Sequence, residues 1–177
     1  MATTGQSVEL VNTKEIELFL PLMREIDFGD AFLLSMLHWC GIGQRSTPLE
    51  YWQVFLVRSQ QEIVGVSGLY RQPAMPSDIC WIGWLAIRPQ FRRQGFGTAA
   101  IHSLVNTART INCREIWVYT GSDDHIARSF YTSLDFKVLG PAKECAPGKT
   151  MSPSDVVLRR QLERQVDAAA RLQQQLQ

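Results

Sequence analysis

RPQFRRQGFGTAAIHSL, residues Arg88 to Leu104, is the stretch that decides how this chain is read. It follows an apolar run from Ile79 to Ile87, which Pro89 closes. Arg88, Arg92 and Arg93 come next, then Gly95 and Gly97. From about Gly97 to Ile111, Ala100, Ile101, Leu104, Val105 and Ala108 fall on one face of a helix. The order is therefore strand, basic turn, helix. Glycines in such a turn allow positive φ and a close backbone approach to a ligand. The unpaired N–H groups at the helix start, at the positive end of its dipole, form an anion site. Arginine forks suit phosphate oxygens. The turn reads as a phosphate cradle, the alternative being an exposed basic turn with no ligand.

The sequence on either side alternates between α and β signals without repeats. Ser7 to Asn12 alternates as a short strand. Lys14 to Ile26 has helical spacing, with Thr13 as N-cap and Pro21 expected to kink or interrupt it. Asp30 to Cys40 is a second helix, stopped by Gly41 and Gly43. Tyr51 to Arg58 and Glu62 to Tyr70 form a hairpin across Ser59-Gln60-Gln61. Beyond the cradle, Glu115 to Thr120 is a strand, Ile126 to Leu134 a short helix and Phe136 to Leu139 a strand. Lys143 to Ser154 is a loop and Asp155 to Leu162 a last strand. The expectation is one domain over residues 1–162, with 163–177 a polar tail that is marginally helical.

Composition sets limits on function. The chain has 177 residues, 45% apolar and 20% charged, as in an ordinary globule. A formal net charge of +1 gives no general attraction to nucleic acid or membrane. MATTGQSVELVNTKEIE has neither a basic nor an apolar leader region, so no secretory signal is expected. The apolar stretch from Ala31 to Gly43 is too short to span a bilayer. Cys40, Cys80, Cys113 and Cys145 form no CxxC pair, which argues against a zinc site and for reduced thiols in a cytoplasm. No metal is expected.

Two readings compete for the turn. Gly95-Phe96-Gly97-Thr98-Ala99-Ala100 also satisfies the dinucleotide pattern G-x-G-x-x-A, with Asp123 placed for a ribose. However, Arg88 to Gln94 separate the strand from the first glycine, and the hairpin does not fit serial βαβ units. The other reading rests on two blocks together. Arg92-Arg93-Gln94-Gly95-Phe96-Gly97, after Trp84 to Pro89, resembles the Q/R-x-x-G-x-G/A loop of the GNAT superfamily of acyl-CoA-dependent N-acyltransferases. Asp124 to Tyr131, followed by Leu134-Asp135-Phe136, resembles that family's N-x-x-A-x-x-F-Y…L-G-F block. Asp124 stands for the usual asparagine and Asp135 for the usual glycine.

That resemblance implies an α/β (α+β) fold: a central mixed, mostly antiparallel sheet of about six to seven strands, flanked by helices. It implies an N-acetyltransferase that moves an acetyl group from acetyl-CoA to a primary amine by direct attack in a ternary complex. Leu85 would give an oxyanion N–H from a splayed or bulged strand, and Ile87 would pair with the pantetheine arm. Arg92, Arg93, Gln94, Gly95, Phe96, Gly97 and Thr98 would hold the pyrophosphate, with Asp124 and Tyr131 completing the coenzyme site. Tyr131 would protonate the leaving thiolate. The partners are acetyl-CoA and an amine, without nucleic acid or membrane, and a homodimer stays open. The strand before the turn lacks the family's frequent glutamate, leaving Asp78, Asp124, His125, Glu50 and His38 as candidate bases. An acyl-CoA sensor or scaffold without efficient catalysis is therefore the alternative. Trp39, Tyr51, Trp52, Tyr70, Trp81 and Trp84 are expected mainly in the core. Ala146 to Thr150 echoes a Walker A end without its first glycine and reads as a surface loop.

Overall fold

The computed structural model describes residues 6–26, 29–42, 49–145, 152 and 154–162. Seven strands are seen: β1 Glu9–Asn12, β2 Tyr51–Ser59, β3 Glu62–Arg71, β4 Ile79–Ile87, β5 Glu115–Gly121, β6 Lys137–Pro141 and β7 Asp155–Gln161. The helices are α1 Leu20–Glu25, α2 Gly29–Trp39, α3 Phe96–Thr110, α4 His125–Thr132 and the single turn α5 Ala142–Cys145. The strands form one sheet in the order β1-β2-β3-β4-β5-β7-β6. β1·β2, β2·β3, β5·β7 and β6·β7 are antiparallel, whereas β4·β5 is parallel. The mixed, mostly antiparallel sheet is the one expected. A parallel pair needs a long crossover, and residues 88–114, with α3 inside them, provide it. The phosphate-cradle sequence is thus the start of that crossover. No described helix is long and apolar enough to cross a membrane.

The chain divides into two compact units, residues 1–73 with 82–104, and residues 74–81 with 105–177. In the first, the expected helix over 14–26 is two pieces, a 3-10 turn Ile16–Leu18 and then α1. Pro21 lies in the first turn of α1, where its missing N–H costs nothing. Thr13 accepts from the Glu15 amide at 3.2 Å rather than capping a continuous helix. Trp39, the last residue of α2, lies over Gly68 and Gly83, and a Cβ at either glycine would collide with its ring. Trp39 and Tyr70 are buried at a centroid distance of 5.8 Å, in the core role expected of them.

In the second unit, Ile79–Trp81 pair with Glu115–Trp117, and the buried Trp81 ring meets Trp117 at 5.3 Å. One expectation is corrected here. Cys80 and Cys113, both buried, form a disulfide with Cα atoms 6.2 Å apart, whereas Cys40 and Cys145 are free. Spacing along the chain gave no sign of it. The pairing arises because Cys80 enters β4 beside β5 while Cys113 closes the end of α3, its amide bonded to Ala108. The expected loop after Ala142 opens with the short α5. The Walker-like echo and the tail over 163–177 lie outside the described residues.

Candidate functional site

The first unit carries the strand end and the cradle. Within β4, Trp84 has φ 52°, left-handed backbone in a bulky residue. Its ring rests on Phe32 at 5.3 Å. Such a residue breaks the pleat, as the bulged strand expected before Leu85 would. The Leu85 and Ile87 side chains pack against a core of Val57, Val64, Phe96 and Ala100, which leaves their main chain as the part that can serve a ligand.

After β4, a 3-10 turn Pro89–Phe91 reverses the chain, with the Phe91 amide bonded to Arg88 O at 2.9 Å. Phe91 meets Phe96 edge to face at 5.8 Å, fixing the turn to the first residue of α3. Gly95 has φ 89° and is exposed; among the described residues a Cβ added there would meet only Gln6 Cγ, at 3.6 Å. The first helical bond runs from the Ala99 amide to Gly95 O, 3.0 Å, so the Phe96, Gly97 and Thr98 amides precede the intrahelical ladder. Gly97 is helical, and of the two glycines only Gly95 uses positive φ. Arg93 also takes the left-handed conformation, at φ 62°, which its residue type did not announce.

The three arginines are not equivalent. Arg88 was expected to add charge for phosphate, but it forks onto Glu25 with two bonds of 2.7 Å and donates to Ile63 O at 2.9 Å. Arg92 is exposed and ties Nε to Ile87 O at 3.0 Å. Arg93 is exposed and makes no ion pair among the described residues. Gln94 turns back to donate to Gln90 O at 2.7 Å.

The second unit carries the other block. Asp124 is the N-cap of α4, its Oδ1 accepting from the Ala127 amide at 2.9 Å. A carboxylate does what asparagine would do there. Tyr131 is buried between Phe130 and Phe136, with centroids at 5.2 and 5.4 Å. Burial pushes its phenol well above the ordinary range and the Asp124 charge pushes it further, so it holds its proton. Asp135 has φ 64°, the conformation that a glycine would adopt freely at this turn.

Leu85, Ile87 and Arg92 to Thr98 thus share one unit, and Asp124 and Tyr131 share the other. None of the candidate bases lies on β4. Asp78 sits before its first residue and pairs with Arg114 at 3.6 Å. His125 and Glu50 are exposed, and His38 is half-buried in α2. Among the described residues, no three His, Cys, Asp or Glu side chains gather as a metal site would require.

The model of the acetyltransferase (GNAT) family matches residues 16–136, more than half of the sequence. The chain belongs to the GNAT family. No curated protein sequence is significantly similar to it. Solved structures share the GNAT fold across most of the chain. A protein from Desulfovibrio desulfuricans assigned to GNAT acetyltransferases is 14% identical with a TM-score of 0.66, covering 89% of this chain and 100% of its own. A Bacillus subtilis acetyltransferase in complex with CoA is 17% identical with a TM-score of 0.61, covering 89% and 99%. A GNAT acetyltransferase from Elizabethkingia anophelis with acetyl-CoA bound is 15% identical with a TM-score of 0.61, covering 88% and 99%. A Rossmann-type reading of Gly95 to Ala100 fails against a GNAT sheet whose pairs are mostly antiparallel.

Proposed function

We propose that this protein is an N-acetyltransferase that transfers acetyl from acetyl-CoA to a primary amine of a small molecule or peptide. The observation that carries this reading is Gly95: left-handed, exposed and followed at once by the amides that open α3. Those amides, with Arg92, Arg93, Gln94 and the Thr98 hydroxyl, would hold the pyrophosphate. The left-handed Trp84 backbone supports Leu85 N–H as the oxyanion donor and Ile87 as the pantetheine contact.

In the proposed reaction the neutral amine attacks the thioester carbon. The C–N bond forms, charge collects on the carbonyl oxygen, and the C–S bond then breaks. Tyr131 would serve the departing thiolate. A phenol whose proton is held this tightly contributes mainly a strong hydrogen bond to the developing charge, because full transfer to a thiolate of ordinary pKa, ~8.5, runs uphill. The surplus amine proton goes to solvent. Gly83 lies beneath the Trp39 ring, so the strand has no room for an acid at that position.

That same feature favours a second reading, an acyl-CoA sensor or scaffold without efficient catalysis. An acceptor panel monitored for free CoA separates the two. Turnover with an amine supports the enzyme, whereas tight acetyl-CoA binding without turnover across the panel supports the sensor. We also propose a cytoplasmic setting, against which the Cys80–Cys113 bond weighs, since cytosolic disulfides are rare.

A further inference from the structure

Glu25 ends α1, where a negative charge faces the negative end of the helix dipole. What offsets this is in the turn after β4. Arg88 Nε and Nη2 each donate to the Glu25 carboxylate at 2.7 Å, a bidentate fork. The Arg88 fork, with a smaller contribution from the Gln90 side chain, holds the Glu25 carboxyl below its usual range. Arg88 is itself fixed on its other side by Ile63 O at 2.9 Å and by its own amide on Val64 O at 2.9 Å.

From Arg88 the contacts run toward the cradle. The guanidinium carbon lies 5.7 Å from the centre of the Phe91 ring. Phe91 packs on Phe96, the first residue of α3, and Gln90 O accepts from Gln94 beside Gly95. Every residue of this relay lies in one compact unit. Without Glu25, Arg88 would keep only a backbone acceptor, and Gln90 would lose its side-chain partner.

We propose that Glu25 is a positioning residue, acting through Arg88 and Gln90 to order residues 88–94 so that the amides opening α3 meet their anionic ligand pre-formed. The inference rests on the acetyl-CoA reading for the identity of that ligand. Glu25 touches no ligand atom in this role. Its effect falls on coenzyme affinity and leaves the chemical step alone.

The test uses the full chain as wild type, Glu25→Gln, and the swapped double variant Glu25→Arg/Arg88→Glu. Hydrogen exchange of the amides at 90–92 without ligand reads the order of the turn. Titration with acetyl-CoA and saturation kinetics read its consequence. Glu25→Gln is expected to speed exchange there and to weaken acetyl-CoA binding about tenfold, raising KM with kcat unchanged. The swap should recover part of both. Unchanged exchange and affinity in Glu25→Gln would overturn the proposal, as would an equal fall in kcat with no change in KM. Wild type that fails to bind acetyl-CoA overturns the acetyl-CoA reading instead. The exchange arm then still supports or overturns Glu25 as organiser of the turn.

Discussion

Gly95 was legible because its residue type matches what the backbone does, φ 89° ahead of a helix. Trp84 and Arg93, also left-handed, were not, because nothing in a tryptophan or arginine signals positive φ. Arg88 was misread for a related reason. Its charge suited phosphate, and its partner Glu25 stands far upstream in sequence. Tyr131 was named from the second block, and its burial adds a constraint that sequence could not supply. Because its phenol is raised, the protonated form persists through the neutral and mildly alkaline range, so Tyr131 should cause no basic limb in kcat below about pH 10. Tyr131→Phe should lower kcat by about 10²-fold with acetyl-CoA affinity little changed. An unaltered kcat, where chemistry limits the rate, assigns Tyr131 to packing alone.

Elements were more legible than their ends. The strand over Ile79 to Ile87 and the helix after Gly95 follow from an apolar run, a proline and a clear apolar stripe. The first helix was harder. Its periodicity spans 14–26, but Pro21 sets a new helix start, giving a 3-10 turn and α1 in its place. The pairing of β4 with β5 is a long-range fact, and with it comes the Cys80–Cys113 bond, whose loop contains α3. A cross-link closing a loop of this size should contribute about 3–4 kcal/mol by restricting the unfolded chain. Reduction should therefore lower Tm by several degrees, with Cys80 and Cys113 becoming alkylatable only after reduction. Equal Tm with and without reductant, and four thiols titrated in the unreduced unfolded chain, would contradict the bond.

At the scale of the whole molecule, the absence of a carboxylate on β4 shapes the expected pH dependence. If no residue is placed as a base, the reaction draws on the fraction of acceptor that solvent leaves neutral. A lysine-like amine, pKa ~10.4, is mostly protonated at neutral pH, whereas an α-amino group, pKa ~8, is partly free. kcat/KM should then rise through the pKa of each acceptor, favouring the less basic amine at pH 7. A limb that stays fixed across acceptors and disappears in Asp78→Asn, Asp124→Asn or His125→Ala would identify an internal base instead.

The most direct test of the central claim is calorimetric titration of acetyl-CoA into wild type and Gly95→Val, with the fold of each checked by circular dichroism. Among the described residues Gly95 has space around it, with Gln6 at 3.6 Å the one neighbour a Cβ would meet, but φ 89° resists a β-branched residue. A valine there would also obstruct the approach of a phosphate to the amides. Wild type is expected to bind acetyl-CoA saturably, and a folded Gly95→Val not at all. Equal affinity in the two proteins, or no binding by wild type, would contradict it.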